Sequence, residues 1–378
     1  MRFQTVCIES LGYTLPEEVL TSDEIERRLA PLYQRLRLPE GRLELMSGIK
    51  ERRLWPQGTR PSEMSIASGR RALAKMGLDL REIGALIHGS VCRDYLEPAT
   101  ACGVHFELGL PQECLVYDVS NACLGMLNGM IQVATMIELG QIRAGLVVGT
   151  EDSRQLVEST IAQLNRDEKL TRESIKLAVA SLTIGSASAA VLLTHRDLST
   201  TGHHLTTVSV RAHTNHYQLC QGGHEPSIGG SQILMQTDSE KLLAEGITTG
   251  QATFADFLKV SGWNSGDIDR TICHQVGSAH RKQMLQSLEL NPERDFCTYP
   301  WLGNTGSVAL PITLAIAEEQ QFIQPGERVA LLGIGSGINC IMGAVEWGNE
   351  DLIGRLRDAE KSFSEGKGVN WRKVRKDV

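Results

Sequence analysis

The chain reads as an α/β protein in which strands and helices alternate and the pattern occurs twice. Three observations predict this. Short apolar runs bounded by turn residues read as buried strands at Ala85–His88, Leu115–Asp118, Ala144–Val148, Ala189–Leu193, Thr271–His274 and Val329–Leu332. Segments with helical apolar spacing lie between them, clearest at Ser62–Met76, Leu124–Leu139, Asp238–Val260, Ala279–Leu288 and Leu310–Phe322. Such alternation builds mixed sheets covered by helices. The third observation is internal repetition. Ile184–Leu193, a Gly/Ser turn running into a strand of small residues, has the same form as Ile334–Val345. Glu82–His88 echoes Asp267–His274, each an acidic start to an apolar strand that ends in histidine.

The bulk numbers fit a globular chain with a large core. It has 378 residues, 41% hydrophobic and 22% charged, with a net charge of −7. No basic footprint for nucleic acid is visible. Met1–Leu20 interrupts its apolar residues with Arg2, Glu9, Glu17 and Glu18, and so lacks a secretory or targeting pattern. No apolar run reaches the roughly 18–20 residues of a bilayer span, so a cytoplasmic location is expected. The nine cysteines are scattered without C-x-x-C or C-x-x-H spacing, which supports neither a disulfide framework nor a structural zinc site.

Between the repeated parts, His195–Gly230 is polar and rich in histidine and glycine, and is expected to be a surface connection. The end, Gly348–Val378, is charged throughout and reads as a solvated helix with a frayed tip.

Three residues are candidates for chemistry. Cys123 lies in Asp118–Gly129, where a strand ends in small polar residues and a helix begins. A helix N-terminus offers partial positive charge and unpaired N–H groups, which lower a thiol pKa and favour the nucleophilic thiolate. A packed cysteine in a tight turn fits the local context equally well. His274 ends a strand, the place where open α/β sheets expose functional groups. Asn304 sits in Trp301–Ser307, a glycine-flanked turn that would also suit an N-cap or a left-handed turn residue. Singly each reads as structure. Together they supply a nucleophile and two hydrogen-bond donors for a thioester oxygen. Papain-like proteases share the order Cys, His, Asn, but Asn121–Gly125 lacks the flanking pattern of that family.

At six stretches the chain resembles a known family: Ser47–Arg53, Ser90–Pro98, Asp118–Cys123, His274–Val276, Gly303–Gly306 and Gly333–Asn339. Over residues 1–347 it is similar to the ketoacyl-ACP synthase III branch of the thiolase superfamily, and within it to the acyl-CoA condensing enzymes of bacterial olefin biosynthesis (OleA-like). The resemblance implies a thiolase fold whose duplicated halves form a five-layer αβαβα sandwich. The halves would be residues 1–195, with Cys123, and 196–347, with His274 and Asn304; a polar tail, 348–378, would follow. It implies a homodimer, a catalytic triad of Cys123, His274 and Asn304, and an oxyanion hole of the Cys123 and Ser336 N–H groups. No metal and no cofactor is implied, coenzyme A or acyl-carrier-protein thioesters being substrates.

Glu97 separates two chemistries within the branch. Decarboxylating ketoacyl synthases usually carry an apolar residue there, because loss of carbon dioxide itself creates the carbanion. A glutamate at this place resembles a general base that reaches into the partner subunit's site and takes the α-proton of a second acyl thioester. The implied reaction is then a non-decarboxylative Claisen condensation of two fatty acyl-CoA thioesters to a β-ketoacyl-CoA through acyl-Cys123. A decarboxylative synthase using a malonyl thioester and a non-catalytic partner subunit are the alternatives. Two positions depart from the family pattern: Gly185–Ala189 replaces the usual glycine-rich turn, and Arg42 stands where an adenine-stacking tryptophan is common.

Overall fold

The computed structural model describes residues 1–75, 77–224 and 233–348. Its strands are β1 (Val6–Thr14), β2 (Glu18–Thr21), β3 (Glu51–Leu54), β4 (Ile83–Gly89), β5 (Leu115–Val119), β6 (Ala144–Glu151), β7 (Ala187–His195), β8 (His204–Ala212), β9 (Cys220–His224), β10 (Ile233–Thr237), β11 (Arg270–Cys273), β12 (Asp295–Phe296), β13 (Glu327–Gly335) and β14 (Asn339–Trp347). The α-helices are α1 (Ser22–Arg28), α2 (Ala30–Leu36), α3 (Arg42–Ser47), α4 (Pro61–Ala74), α5 (Thr100–Leu108), α6 (Gly125–Glu138), α7 (Arg154–Arg166), α8 (Lys176–Val179), α9 (Ser239–Ser261), α10 (Ser278–Ser287), α11 (Tyr299–Leu302) and α12 (Ala309–Glu319).

Ten strands hydrogen-bond in the order β12-β11-β13-β14-β8-β1-β7-β6-β4-β5. Divided between β8 and β1, this is the same five-stranded unit twice. Each half orders its strands third, second, fourth, fifth, first. Each also pairs the first, fifth and fourth antiparallel and the fourth, second and third parallel. The repeated sequences therefore fall on equivalent strands: β7 and β14 are the fifth of each half, β4 and β11 the second. The halves join at Cys7 with His204, beside the Ile8 N–H donated to the His203 carbonyl at 2.8 Å.

The helices complete a five-layer sandwich. α4 and α5 pack on the outer face of the first half, α9 and α10 on that of the second. Between the halves lie α6 and α12. Residues Ala309–Ala317 of α12 are all buried, so that helix is apolar all round, as a helix between two sheets must be. α6 faces β6 through Gly129, where a Cβ would stand 2.7 Å from Val147. It faces β13 through Leu127, 2.5 Å from where a Cβ on Gly333 would lie.

Two expectations change, and one strand gave no signal in the sequence. Residues 195–230 are no mere surface connection, because they hold β8, whose Leu205, Thr207, Val208 and Ser209 are buried; alternating threonine and serine made the strand look polar. β5 is an edge strand with Leu115 half exposed, not a fully buried one. β1 escaped notice because it carries Glu9, which is buried and accepts the Thr200 N–H at 2.7 Å. Met76, residues 225–230 of the connection, and the tail from 349 onward lie outside the described residues. Among the described residues no helix is long and apolar enough to cross a membrane.

Candidate active site

Cys123, His274, Asn304 and Ser336 line one cavity of about 1160 Å³. His274 and Ser336 directly follow β11 and β13, Cys123 lies in the turn between β5 and α6, and Asn304 follows α11. This volume lies above the roughly 300–1,000 Å³ usual for small-molecule sites, and the walls are largely apolar, among them Leu156, Leu234, Leu243, Met284, Ile334 and Met342.

Cys123 stands two residues before α6, in a turn where Ala122 takes a left-handed φ of 43°. The turn is held from two sides. The Asn339 amide donates to Asn121 Oδ1 at 3.1 Å, and Asn121 in turn donates to Asn128 Oδ1 at 2.7 Å. Behind it, β4 and α6 approach so closely that a Cβ on Gly89 would meet the Gly125 carbonyl oxygen at 2.6 Å. Gly335 brings the Ser336 loop against the thiol: a Cβ on Gly335 would lie 3.4 Å from Cys123 Cβ and 3.5 Å from its backbone nitrogen. The electrostatics differ from the sequence-based expectation. Burial, reinforced by the neighbouring Cys220 and Glu151, pushes the Cys123 thiol up to about 12, outweighing the helix terminus. At rest Cys123 is a neutral thiol.

His274 follows β11 directly and extends its ladder, donating its N–H to the Leu332 carbonyl at 3.0 Å. Burial, helped by the neighbouring His280, lowers its pKa to about 4, so the imidazole is neutral and keeps one N–H to donate. Next to it, Gln275 Oε1 accepts the N–H groups of Thr298 and Tyr299 at 2.8 and 3.2 Å, tying this strand end to α11.

Asn304 is fixed on both sides of its peptide: its N–H donates to the Thr183 carbonyl and its carbonyl accepts the Gly185 N–H, each at 2.9 Å. Its side-chain Oδ1 accepts the Gly306 N–H at 3.0 Å, which leaves the NH₂ end free to donate. The departure at Gly185–Ala189 thus touches this residue directly. A Cβ on Gly185 would stand 2.0 Å from the Leu302 carbonyl oxygen, and one on Gly303 2.6 Å from that of Thr183. Under the turn lies Arg52, fully buried, donating to the Leu20 carbonyl and Ser22 hydroxyl at 3.2 and 3.1 Å. The Ser47–Arg53 motif therefore serves as the base of the Asn304 turn.

Glu151 is the residue that sequence reading missed. It ends β6, lines the cavity, and is buried. Its Oε1 accepts the hydroxyl and N–H of Ser307 and the N–H of Val91, the last at 3.2 Å. Burial raises its pKa, opposed by these donors and by Cys92. An acidic residue ending an otherwise apolar strand was the available signal. His280 on α10, also on the cavity wall, is held near 4 by burial.

Glu97 is not among them. It is exposed, on the loop between β4 and α5, although Val91–Leu96 just before it line the cavity. Arg42 begins α3 and is exposed.

A cysteine presented this way at the centre of a duplicated five-layer sandwich is the arrangement of the thiolase superfamily, the class of acyltransferase that fold and site define. Family comparison agrees: the thiolase N-terminal domain matches residues 49–215, and the C-terminal domain of 3-oxoacyl-[acyl-carrier-protein] synthase III matches residues 258–347. The chain is 44% identical over 352 residues to an acyl-CoA:acyl-CoA alkyltransferase of Shewanella oneidensis, covering 92% of this chain and 100% of that one. Identity to the Xanthomonas campestris enzyme of the same name is 36% over 347 residues, with coverage of 92% and 100%. A beta-ketoacyl-[acyl-carrier-protein] synthase III of Roseiflexus castenholzii is 26% identical, with coverage of 90% and 97%. The crystal structure of a variant of Xanthomonas campestris OleA with bound lauric acid and lauroyl-CoA superposes with a TM-score of 0.85 at 35% identity, covering 91% of this chain and 100% of that one. The chain belongs to the acyl-CoA:acyl-CoA alkyltransferase (OleA) family.

Proposed function

We propose that this enzyme joins two fatty acyl-CoA thioesters by non-decarboxylative Claisen condensation, as the carbon–carbon bond-forming step of long-chain olefin biosynthesis. The observation that carries the proposal is the convergence of Cys123, His274 and Asn304 on a single large apolar cavity. Cys123 attacks the first thioester, and the oxyanion is held by the N–H groups of Cys123 and Ser336. The proton lost by the thiol ends on the departing CoA sulfur. The exchange is neutral overall, which suits a cavity that penalises charge. The second thioester directs its oxygen to the neutral His274 N–H and the Asn304 NH₂ group. Glu97 of a partner subunit takes its α-proton, the enolate attacks the acyl-Cys123 carbonyl, and the β-ketoacyl-CoA leaves as Cys123 recovers a proton.

A homodimer is part of this reading. Support comes from Glu97, which lies outside its own chain's cavity, and from the edge strand β5, whose Leu115 is exposed together with Phe106 of the neighbouring α5. We further propose a cytoplasmic location, no cofactor, and the division of the chain into halves 1–195 and 196–347, for which the repeated strand order is the support.

The test is to give the purified protein a long-chain acyl-CoA alone and follow thiol release and product mass, with Cys123→Ala and Glu97→Gln in parallel. A β-keto product from the wild type, with Glu97→Gln acylated at Cys123 but unable to condense, supports the proposal. Condensation that requires a malonyl thioester and survives Glu97→Gln would mean decarboxylative chemistry.

A further inference from the structure

The histidine-rich connection between the halves contains a group that the reaction does not use. His213 and His216 follow β8, and Glu245 lies on α9; one donor atom from each falls within 4.8 Å of the other two. We propose that His213, His216 and Glu245 form a transition-metal site of the zinc class, which clips the connection to α9 behind the active-site cavity.

The donor set and spacing both support this. Two imidazoles and one carboxylate are a recurrent zinc ligand set. His216 Nε2 and Glu245 Oε2 are 3.3 Å apart. Donors about 2.1 Å from a tetrahedral zinc ion stand about 3.4 Å from one another, so this pair already spans one edge of such a site. The His213-x-x-His216 spacing lies on a single 3-10 turn, which brings the two rings edge to face with centroids 4.4 Å apart.

A second partner is also in place. Ligating histidines normally engage their other ring nitrogen in a hydrogen bond that fixes the ring. His213 Nδ1 is 3.1 Å from the Thr249 hydroxyl, leaving Nε2 as the ligand. Thr249 is one helical turn beyond Glu245, so a single face of α9 supplies both the carboxylate and the residue that orients the imidazole. Zinc would take a water as its fourth ligand.

The position gives the site a consequence. His213 pairs in both directions with Ile338, its N–H donating to the Ile338 carbonyl at 2.7 Å and its carbonyl accepting the Ile338 N–H at 3.1 Å. Ile338 is two residues from Ser336. On the other side, Leu242, Leu243 and Gly246 of α9 line the cavity. Metal at this site therefore fixes the cavity wall and the Ser336 loop to each other. The cysteine spacing carries no zinc pattern because the ligands are two histidines and a distant glutamate.

The experiment uses the full chain carrying Cys123→Ala, so that the nucleophile contributes no ligand, stripped with EDTA and desalted. Zn²⁺ is titrated by calorimetry, Co²⁺ by visible absorption, and Tm is followed with and without Zn²⁺. Expected are one equivalent bound, a tetrahedral Co²⁺ spectrum without thiolate charge transfer, and a Tm raised by a few degrees. His216→Ala and Glu245→Gln should lose all three while melting like the parent in EDTA, since both side chains are partly exposed. Failure of the parent to bind Zn²⁺ in excess, or binding unchanged in both variants, would overturn the proposal.

Discussion

Glu151 and Ser307 join the two halves of the molecule at the wall of the cavity, the Ser307 hydroxyl and N–H both donating to one oxygen of the buried carboxylate. Ser307 follows the Asn304 turn directly, and a Cβ on Gly306 would touch Glu151 Cγ at 3.1 Å. In the proposed reaction Glu151 would therefore position the Asn304 amide.

Glu151→Gln retains an acceptor and should leave acylation of Cys123 near the wild-type rate while lowering condensation about 10- to 100-fold, the share expected when one oriented donor is misplaced. Glu151→Ala leaves the Ser307 and Val91 donors unpaired and should also cost about 1–3 kcal/mol of stability. Intact-mass measurement of acyl-enzyme, beside product formation, separates the two steps; equal slowing of both in Glu151→Gln would refute the positioning role.

Gly303→Ala should disable the site through the backbone. Its φ of 69° is left-handed, and the new Cβ would meet the Thr183 carbonyl oxygen, an atom that cannot rotate away. Destabilisation of about 1–3 kcal/mol, with loss of condensation, is expected from denaturant melts and assay. Gly266→Ala, where nothing stands near the added methyl, serves as the control.

The neutral state of Cys123 has a kinetic signature. With its thiol pushed to about 12, alkylation of free enzyme by iodoacetamide should be slow at pH 7 and still rising at pH 9–10. Peptide mass spectrometry of Cys123 across that range provides the check, and a plateau below pH 8 would show the helix terminus prevailing over burial.

Stability should fall on mild acidification. Burial holds His88, His274 and His280 near 4 in the folded chain, against 6.5 ordinarily. Between those values the unfolded chain binds more protons, so this contribution is complete above pH 6.5 and is lost as pH falls towards 4. Glu151, Asp152 and Asp295, raised by burial, act in the opposite sense at acid pH. Tm measured from pH 8 to 4.5 should decline less steeply in His280→Gln than in wild type; parallel curves would remove His280 from the account.

Much of the fold was legible because buried strands leave apolar runs whatever surrounds them. Six such runs fall on β4, β5, β6, β7, β11 and β13, and five helical patterns on α4, α6, α9, α10 and α12. Among the strands that escaped, β1 and β8 interrupt their apolar runs with buried polar residues, and on β1 the buried carboxylate finds its partner far along the chain. For Glu9 the partner is Thr200.

By itself the sequence determined the alternating architecture, its duplication, and Cys123, His274 and Asn304 as candidates, since periodicity and turn chemistry are local properties. Only the tertiary structure could bring those residues to one cavity, place Glu97 outside it, and add Glu151. It also reversed the expected sign for the thiol. A helix terminus is visible in a short stretch of sequence, whereas the desolvation that outweighs it at Cys123 depends on everything packed around the site.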